Sequence, residues 1–409
     1  MRSKWINRVL SVALLFTTLT TSVSYTFTTA YAEEAGASTQ QSAQSGVSWP
    51  EAPEISAGNG ILIDADTGAI LYEKNAYTKC YPASTTKILT GLLTVENCSM
   101  DETVTFSRAA ANSVTWEDSN LATKVGEQYT VEQALYGLLL YSANEIAYGL
   151  AEHVGGSLEN FVEMMNAKVK ELGLKNTNFK NSTGLDEANH YSSSYDMAII
   201  AKELVKHKKI LDFSSIYETY LRTDSDSKFW LVNTNKLVRF YKGVDGLKTG
   251  YTEEAGYCLT ATINKDNMRL IAVVMGEPTS TIRNSEVSAL LDYGYNLYQK
   301  HTYITKEEII DNVKVDKGKK DKANIVVMDD VVRINKKGYK VGEVSYELNL
   351  NKLKAPINKG EKVGTLIIKE DGKKVSIADV TVEENIEKAN YFVLYLRYIK
   401  EILSGNYNF

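Results

Sequence analysis

The chain has 409 residues, enough for two or three domains with separate cores. Its net charge of -5 argues against a nucleic-acid-binding surface. Beyond the N-terminal segment no uncharged apolar run reaches about 18 residues, so nothing there reads as a transmembrane span.

Residues 1–32 read as a secretory signal peptide, which implies export. Arg2, Lys4 and Arg8 make a basic start, Val9 to Leu19 is apolar, and Ala30-Tyr31-Ala32 offers cleavage after Ala32. Residues 33–50 are small and polar, a flexible leader. A larger domain is expected over 51–300. It opens with two apolar runs flanking Asp66-Thr67-Gly68, a hairpin signal. A helix is predicted over 84–97, with Ile88, Leu92 and Val95 on one face. At its start, "YPASTTKILTG" places Ser84 three residues ahead of Lys87. Taken alone, the stretch fits a helix cap as well as a nucleophile with its base.

Thr130 and Gln133 predict a capping box opening "VEQALYGLLL". Ser157 opens "LENFVEMMNAKVKEL", which Gly173 closes, and Ser193 with Asp196 predicts a further box before "MAIIAKELVKH". Asp196 is therefore read as a capping or loop-bracing residue. The polar segment "NTNFKNSTGLDEANHYSSS" lies between the last two as a surface loop. From Val244, "GVDGLKTGYT", "GYCLTATI" and "MRLIAVVMGE" predict strands, and "SEVSALLDYGYNLYQ" a helix. Strands, helices, then strands and a helix describe an α+β core around an antiparallel sheet.

Residues 301–386 alternate as short strands with a hairpin turn at Asp371-Gly372, a small β domain with no catalytic cluster. Residues 387–409 predict a helix with a broad face of Tyr391, Phe392, Leu394, Tyr395, Tyr398, Ile399 and Ile402. It fits a membrane interface, or packing on its own domain or a partner.

The three cysteines, Cys80, Cys98 and Cys258, are too few for a disulfide framework and lack metal-site spacing. Cys258 reads as buried, Cys80 as exposed near a site, and a Cys80–Cys98 bridge stays open. His153, His190, His207 and His301 are scattered without metal-ligand spacing, so no metal is expected. A Ser-His-Asp triad would need His190 beside Ser84, and no motif suggests one.

In a helix Ser84 and Lys87 share a face. A serine hydroxyl needs a base, and lysine serves only when neutral, which requires burial or a nearby cation. Ser142 and Asn144 follow an apolar helix in "LLLYSANEIA", and Lys248, Thr249 and Gly250 lie in a strand. Gly250 would leave that strand open to an incoming backbone. Ser-x-x-Lys, Ser-x-Asn and Lys-Thr-Gly in this order are the motifs of the penicillin-recognising serine enzymes.

With "LLLYSANEIAYGLAEHVGGS", "MNAKVKELGLKNTNFKNSTGLD" and "YSSSYDMAIIAKEL", the chain resembles the low-molecular-mass penicillin-binding proteins that are D-alanyl-D-alanine carboxypeptidases, peptidase family S11. The resemblance is close over about residues 48–300. It implies a β-lactamase/transpeptidase-like domain, an antiparallel sheet with helices on both sides and a helical subdomain, then a small all-β domain. It implies no cofactor, and an enzyme at the outer face of the cytoplasmic membrane or in the cell wall. Its partners would be peptidoglycan stem peptides, β-lactam inhibitors and, through the C-terminal helix, the membrane surface. Ser84 would attack the penultimate D-Ala carbonyl and Lys87 take its proton. Ser142 would relay a proton to the departing D-Ala, and Asn144 hold Lys87 and the substrate amide. Lys248 would add a second positive charge, Thr249 and Arg283 bind the terminal carboxylate, and the N–H groups of Ser84 and Tyr251 form an oxyanion hole.

Tyr251 stands where the family often has His, and "SVTWEDSN" replaces a stretch usually rich in Gly and Ser. Three rivals remain: a class A-like β-lactamase, a D,D-endopeptidase and a non-catalytic wall-binding protein. For the first, "GLDEANHYSS" offers Asp186 and Glu187 without a Glu-x-x-x-Asn arrangement.

Overall fold

The computed structural model describes residues 50–223, 228–306 and 308–403, so the signal segment 1–32 and leader residues 33–49 lie outside the described residues. Strands β1 (Asn59–Asp64) and β2 (Ile70–Lys74) form the predicted hairpin. Asp64 Oδ1 accepts from Thr67 N and Oγ1, and Gly68 supplies φ +74° to close the turn. A 3-10 turn over Ala83–Thr86 runs into α1 (Lys87–Asn97), so the first turn of the helix predicted from 84 is wound tighter.

Short elements β3 (Thr103–Thr105), α2 (Arg108–Ala111) and β4 (Gln128–Thr130) follow, with β3 paired to β4. Helix α3 (Val131–Tyr136) opens on the predicted Thr130/Gln133 capping box. A π-helical turn over Gly137–Tyr141 carries it to Ser142, and α4 (Asn144–Gly155) begins two residues on. Ser157 caps α5 (Leu158–Glu171), and Ser193 caps α6 (Ser194–Leu204) by accepting from Asp196 N. Only half of that second box forms. The Asp196 carboxylate turns away to accept from Asn176 N (2.8 Å) and Thr177 Oγ1 (2.7 Å), which braces the loop.

After α7 (Lys208–Ser214), the paired strands β5 (Glu218–Leu221) and β6 (Phe229–Val232) and the short α8 (Leu237–Phe240), the chain returns to the main sheet. Strands β7 (Val244–Thr252), β8 (Gly256–Lys265) and β9 (Met268–Glu277) complete it in the order β2-β1-β9-β8-β7, every neighbour antiparallel. Helix α9 (Ser280–Leu297) starts earlier than its apolar pattern predicted, because Thr279 caps it by accepting from Ile282 N.

The sheet is buried on both faces, and strand alternation divides it between two cores. Ile61, Ile63, Ile271 and Val273 point into a core shared with α1, α4 and α6. Leu62, Leu270, Ala272 and Val274 point the other way, onto Val287, Leu290 and Leu291 of α9. Each Val, Leu or Ile among them contributes about 1.5–3 kcal/mol by leaving water.

Strand β10 (Tyr298–Ile304) follows α9 without a linker and pairs with β13 (Val331–Lys336). The other strands, β11 (Asp311–Lys314), β12 (Lys322–Val327), β14 (Val344–Leu350), β15 (Gly364–Glu370) and β16 (Lys373–Val382), form a sheet ordered β11-β12-β16-β15-β14. Ile325, Val327, Leu366, Ile368 and Val380 fill the core of this all-β part. Asp371 and Gly372 both take positive φ, 50° and 75°, as the predicted hairpin turn demands.

Helix α10 (Tyr391–Leu403) closes the described chain. Tyr391, Phe392, Tyr395, Leu396, Tyr398, Ile402 and Leu403 are all exposed on it. Among the described residues no helix is long and apolar enough to cross a membrane.

All three cysteines are free, so the Cys80–Cys98 bridge left open by the sequence does not form. Cys80 is less accessible than expected. Its thiol lies between Ser192 O and Met275 Sδ, and burial pushes it up to about 12. Cys258 is buried, as its apolar run predicted.

Candidate active site

Ser84 is the second residue of the 3-10 turn and Lys87 the first of α1. Lys87 is fully buried, and its Nζ donates to Ser84 Oγ (2.9 Å), Asn144 Oδ1 (2.6 Å) and Thr183 O (2.7 Å). Those contacts use all three ammonium protons. Two of the acceptors, an amide oxygen and a main-chain carbonyl, can only accept. When one proton leaves, the remaining two stay on Asn144 and Thr183, and the lone pair faces Ser84 Oγ. Burial pulls Lys87 down to about 7, against the opposing fields of Glu145 and Asp118.

The π-helical turn ends at Ser142 in the left-handed conformation (φ +68°), a strained setting for a non-glycine residue. Among the described residues the Ser142 hydroxyl, nearly buried, has no protein partner. Asn144 then starts α4 with its side chain on Lys87, and its Nδ2 lies 3.5 Å from Asp118 Oδ1. The next residue, Glu145, is completely buried. Its Oε1 accepts from Leu121 N (2.6 Å) and Thr123 Oγ1 (3.1 Å), which ties the 115–123 segment to α4.

Strand β7 ends the sheet. One edge pairs with β8, and the other faces the Ser84 turn. A Cβ at Gly250 would stand 3.0 Å from Ser84 N, 3.0 Å from Ala83 Cβ and 3.1 Å from Pro82 O, so glycine allows this approach where any side chain would crowd it. Lys248 is fully buried beside it and donates to Thr249 O (2.8 Å). Burial holds its ammonium well below the usual range, reinforced by the charges of Lys87 and Arg283. Thr249 Oγ1 donates to Thr234 Oγ1 (2.8 Å). Tyr251 is exposed and stacks on Tyr257 at 4.3 Å between ring centroids.

Arg283 is not a surface residue: only 5% of it is exposed. It lies in the first turn of α9, donates to Asn284 Oδ1 and sits 6.0 Å from the Tyr257 ring. The structure thus gathers Ser84, Lys87 and Asn144 through direct bonds, brings Gly250 against Ser84, and places Lys248 and Arg283 within one electrostatic neighbourhood.

Sequence reasoning missed Thr183, Asp118 and Glu145. Thr183 acts through its carbonyl, which no side-chain pattern reports. Its loop is held by Thr90 Oγ1, which donates to Ser182 O (2.7 Å), and by Gly184 at φ +86°, where a Cβ would overlap Ala83 O. His190 braces the same loop. Its Nδ1 accepts from Lys180 N (3.1 Å), which leaves Nε2–H for Thr86 Oγ1 (3.0 Å). Burial lowers its pKa to about 4, so it is neutral and bonded away from Ser84. Asp186 is exposed and accepts from Thr252 Oγ1, and Glu187 is exposed and accepts from Asn181 Nδ2. Neither bonds to Ser84 or Lys87.

A buried, readily neutralised lysine on a serine, backed by a second buried lysine, has the arrangement that a nucleophile with its base requires. Comparison with known proteins agrees with that chemistry. Residues 46–279 match the family described as D-alanyl-D-alanine carboxypeptidase, and residues 298–388 match the penicillin-binding protein 5 C-terminal domain. The D-alanyl-D-alanine carboxypeptidase DacF of Bacillus subtilis (strain 168) is 44% identical over 347 residues, 83% of this chain and 88% of that protein. DacA of Haemophilus influenzae, also a D-alanyl-D-alanine carboxypeptidase, is 34% identical over 83% of this chain and 88% of its own. The crystal structure of penicillin binding protein 5 from Haemophilus influenzae superposes with a TM-score of 0.67 at 32% identity, covering 83% of this chain and all (100%) of that one. The Streptomyces K15 DD-transpeptidase gives 0.57 at 30% identity, over 60% of this chain and 99% of that one. The chain belongs to the D-alanyl-D-alanine carboxypeptidase family, peptidase family S11, with a penicillin-binding protein 5 C-terminal domain.

Proposed function

We propose that this serine-type D-Ala-D-Ala carboxypeptidase removes the terminal D-alanine from peptidoglycan stem pentapeptides through an acyl-enzyme on Ser84. The observation that carries the reading is the 2.9 Å contact between buried Lys87 Nζ and Ser84 Oγ. Neutral Lys87 takes the Ser84 proton as Oγ attacks the penultimate D-Ala carbonyl. The oxyanion forms against the N–H groups of Ser84 and Tyr251, each such donor contributing roughly 3–4 kcal/mol. Ser142 relays the proton held by Lys87 to the leaving amine, which returns Lys87 to its neutral form as the C–N bond breaks and D-Ala departs. Water then attacks the ester, Lys87 takes its proton and delivers it to Ser84 Oγ as the ester C–O bond breaks, and Ser84 is regenerated.

The edge of β7 not paired with β8 suits an extended peptide added as a further strand. The space at Gly250 is filled by the Ser84 turn, so the glycine serves that approach and not, as the sequence suggested, an incoming backbone. Thr249 and Arg283 bind the terminal carboxylate, and Lys248 adds a second positive charge. We read residues 51–300 as this catalytic domain and 301–386 as a spacer. The exposed aromatic face of α10 suits the membrane interface after export, with tyrosines at headgroup level. β-Lactams acylate the same serine. A β-lactamase reading is disfavoured because Asp186 and Glu187, the carboxylates it would call on, bond to Thr252 and Asn181 instead of to Ser84 or Lys87.

The test is D-Ala release from a synthetic stem pentapeptide. Release by the native protein and none by Ser84→Ala supports the assignment. Equal release by both, or none from either while a cross-linked muropeptide is cleaved, contradicts it.

A further inference from the structure

The far ends of α1 and α4 carry a second cluster of chemical groups. Cys98 caps the C-terminus of α1 in an extended conformation (φ -128°, ψ 148°), which turns its side chain off the helix. His153 lies in the last turn of α4. Glu102 leads into β3 between them, and its Oε1 is held by the Ser99 N–H, which leaves Oε2 free to face His153 Nε2 at 3.3 Å. The thiol sulfur, the imidazole nitrogen and the carboxylate oxygen all lie within 4.8 Å of one another. The sequence hides the cluster because two distant segments supply it, the 98–102 connection and the end of α4.

We propose that Cys98, Glu102 and His153 bind a divalent transition-metal ion of the zinc class, with water at the fourth position. One thiolate, one imidazole and one carboxylate form a donor set that such ions accept and that magnesium and calcium do not favour. The geometry fits without rebuilding the backbone. With metal–nitrogen and metal–oxygen bonds near 2.05–2.1 Å, a tetrahedral site needs about 3.4 Å between those two ligand atoms. The separation present is 3.3 Å. The sulfur needs about 3.6 Å to each, and it already lies within 4.8 Å of both. Binding forms a metal–sulfur bond and releases the thiol proton to solvent.

The placement gives the site a structural consequence. The first residue of α1 is Lys87 and that of α4 is Asn144, the two groups bonded at the active site. A metal at the opposite ends of both helices pins the pair about 16 Å from the chemistry, the length of α1 at 1.5 Å per residue. It should therefore stabilise the fold and leave the acylation rate unchanged.

The test is titration of the purified, fully reduced protein with Co²⁺ alone, followed by absorbance, and with Zn²⁺, followed by thermal unfolding. One equivalent of Co²⁺ should give a thiolate-to-cobalt charge-transfer band with tetrahedral d–d bands, and Zn²⁺ should raise Tm by several degrees. Cys98→Ser and His153→Gln should each lose both signals, while their metal-free Tm and their penicillin acylation rate stay near the parent's. Absence of the band in the parent, or a band kept by both variants, overturns the proposal and leaves a Glu102–His153 ion pair only. A band lost in Cys80→Ser instead would also overturn it.

Discussion

Lys87 Nζ lies 2.9 Å from Ser84 Oγ, while the same nitrogen donates to Asn144 Oδ1 and Thr183 O. That arrangement decides which proton is lost first. The two pure acceptors keep their protons, so deprotonation converts the Ser84 contact from donor to acceptor without moving a heavy atom.

The rate of β-lactam acylation should therefore rise with pH and level off above the Lys87 transition near 7. Below it the lysine is charged and cannot take the serine proton. Lys87→Arg keeps a permanent cation, and should lower acylation by about 10²–10⁴-fold. Stopped-flow acylation across roughly pH 5 to 9, which brackets the transition, checks both outcomes.

Stability should show the opposite side of the same burial. The folded-state pKa of Lys87 lies below its unfolded value, so the unfolded chain binds the extra proton. The cost of charging the buried amine is absent above the unfolded value and grows as pH falls toward about 7. Lys87→Met should abolish activity yet raise Tm, and raise it more near pH 6 than near pH 9. Paired thermal melts at those two pH values measure the difference, and equal shifts would contradict this reading.

Gly250→Ala would place a methyl 3.0 Å from Ser84 N and must push β7 away from the nucleophile. A displacement of that kind is expected to cost about 10²-fold in acylation. The accompanying loss of stability should be about 1–3 kcal/mol. Rate and melting measurements on one preparation separate the two effects.

Arg283→Gln should raise KM for a carboxylate-terminated pentapeptide by about 10-fold or more, the loss of one charged hydrogen-bonding group. The same change should matter little for an amidated peptide. Steady-state kinetics on the matched pair of substrates distinguishes carboxylate recognition from a packing role.

Much of the fold was legible because local chemistry states it. Asp66-Thr67-Gly68, the Thr130/Gln133 box and Asp371-Gly372 each set their turn or cap with nearby atoms. Ser84, Lys87, Asn144 and Gly250 were legible as motif members. What escaped depends on tertiary placement or on the main chain. Thr183 contributes a carbonyl, Glu145 a fully buried carboxylate inside an otherwise apolar helix pattern, and Ser142 a left-handed backbone set by a π-helical turn. The start of α9 depended on the Thr279 cap rather than on apolar periodicity, so the burial of Arg283 in the first turn of that helix could not be read from the apolar pattern.

Incubation of the protein with benzylpenicillin, followed by peptide mapping of the mass adduct, tests the central assignment most directly. A single stoichiometric adduct on the peptide containing Ser84, absent from Ser84→Ala and slowed in Lys87→Arg, is the predicted result. An unmodified chain, or an adduct on another residue such as Ser142, would contradict it.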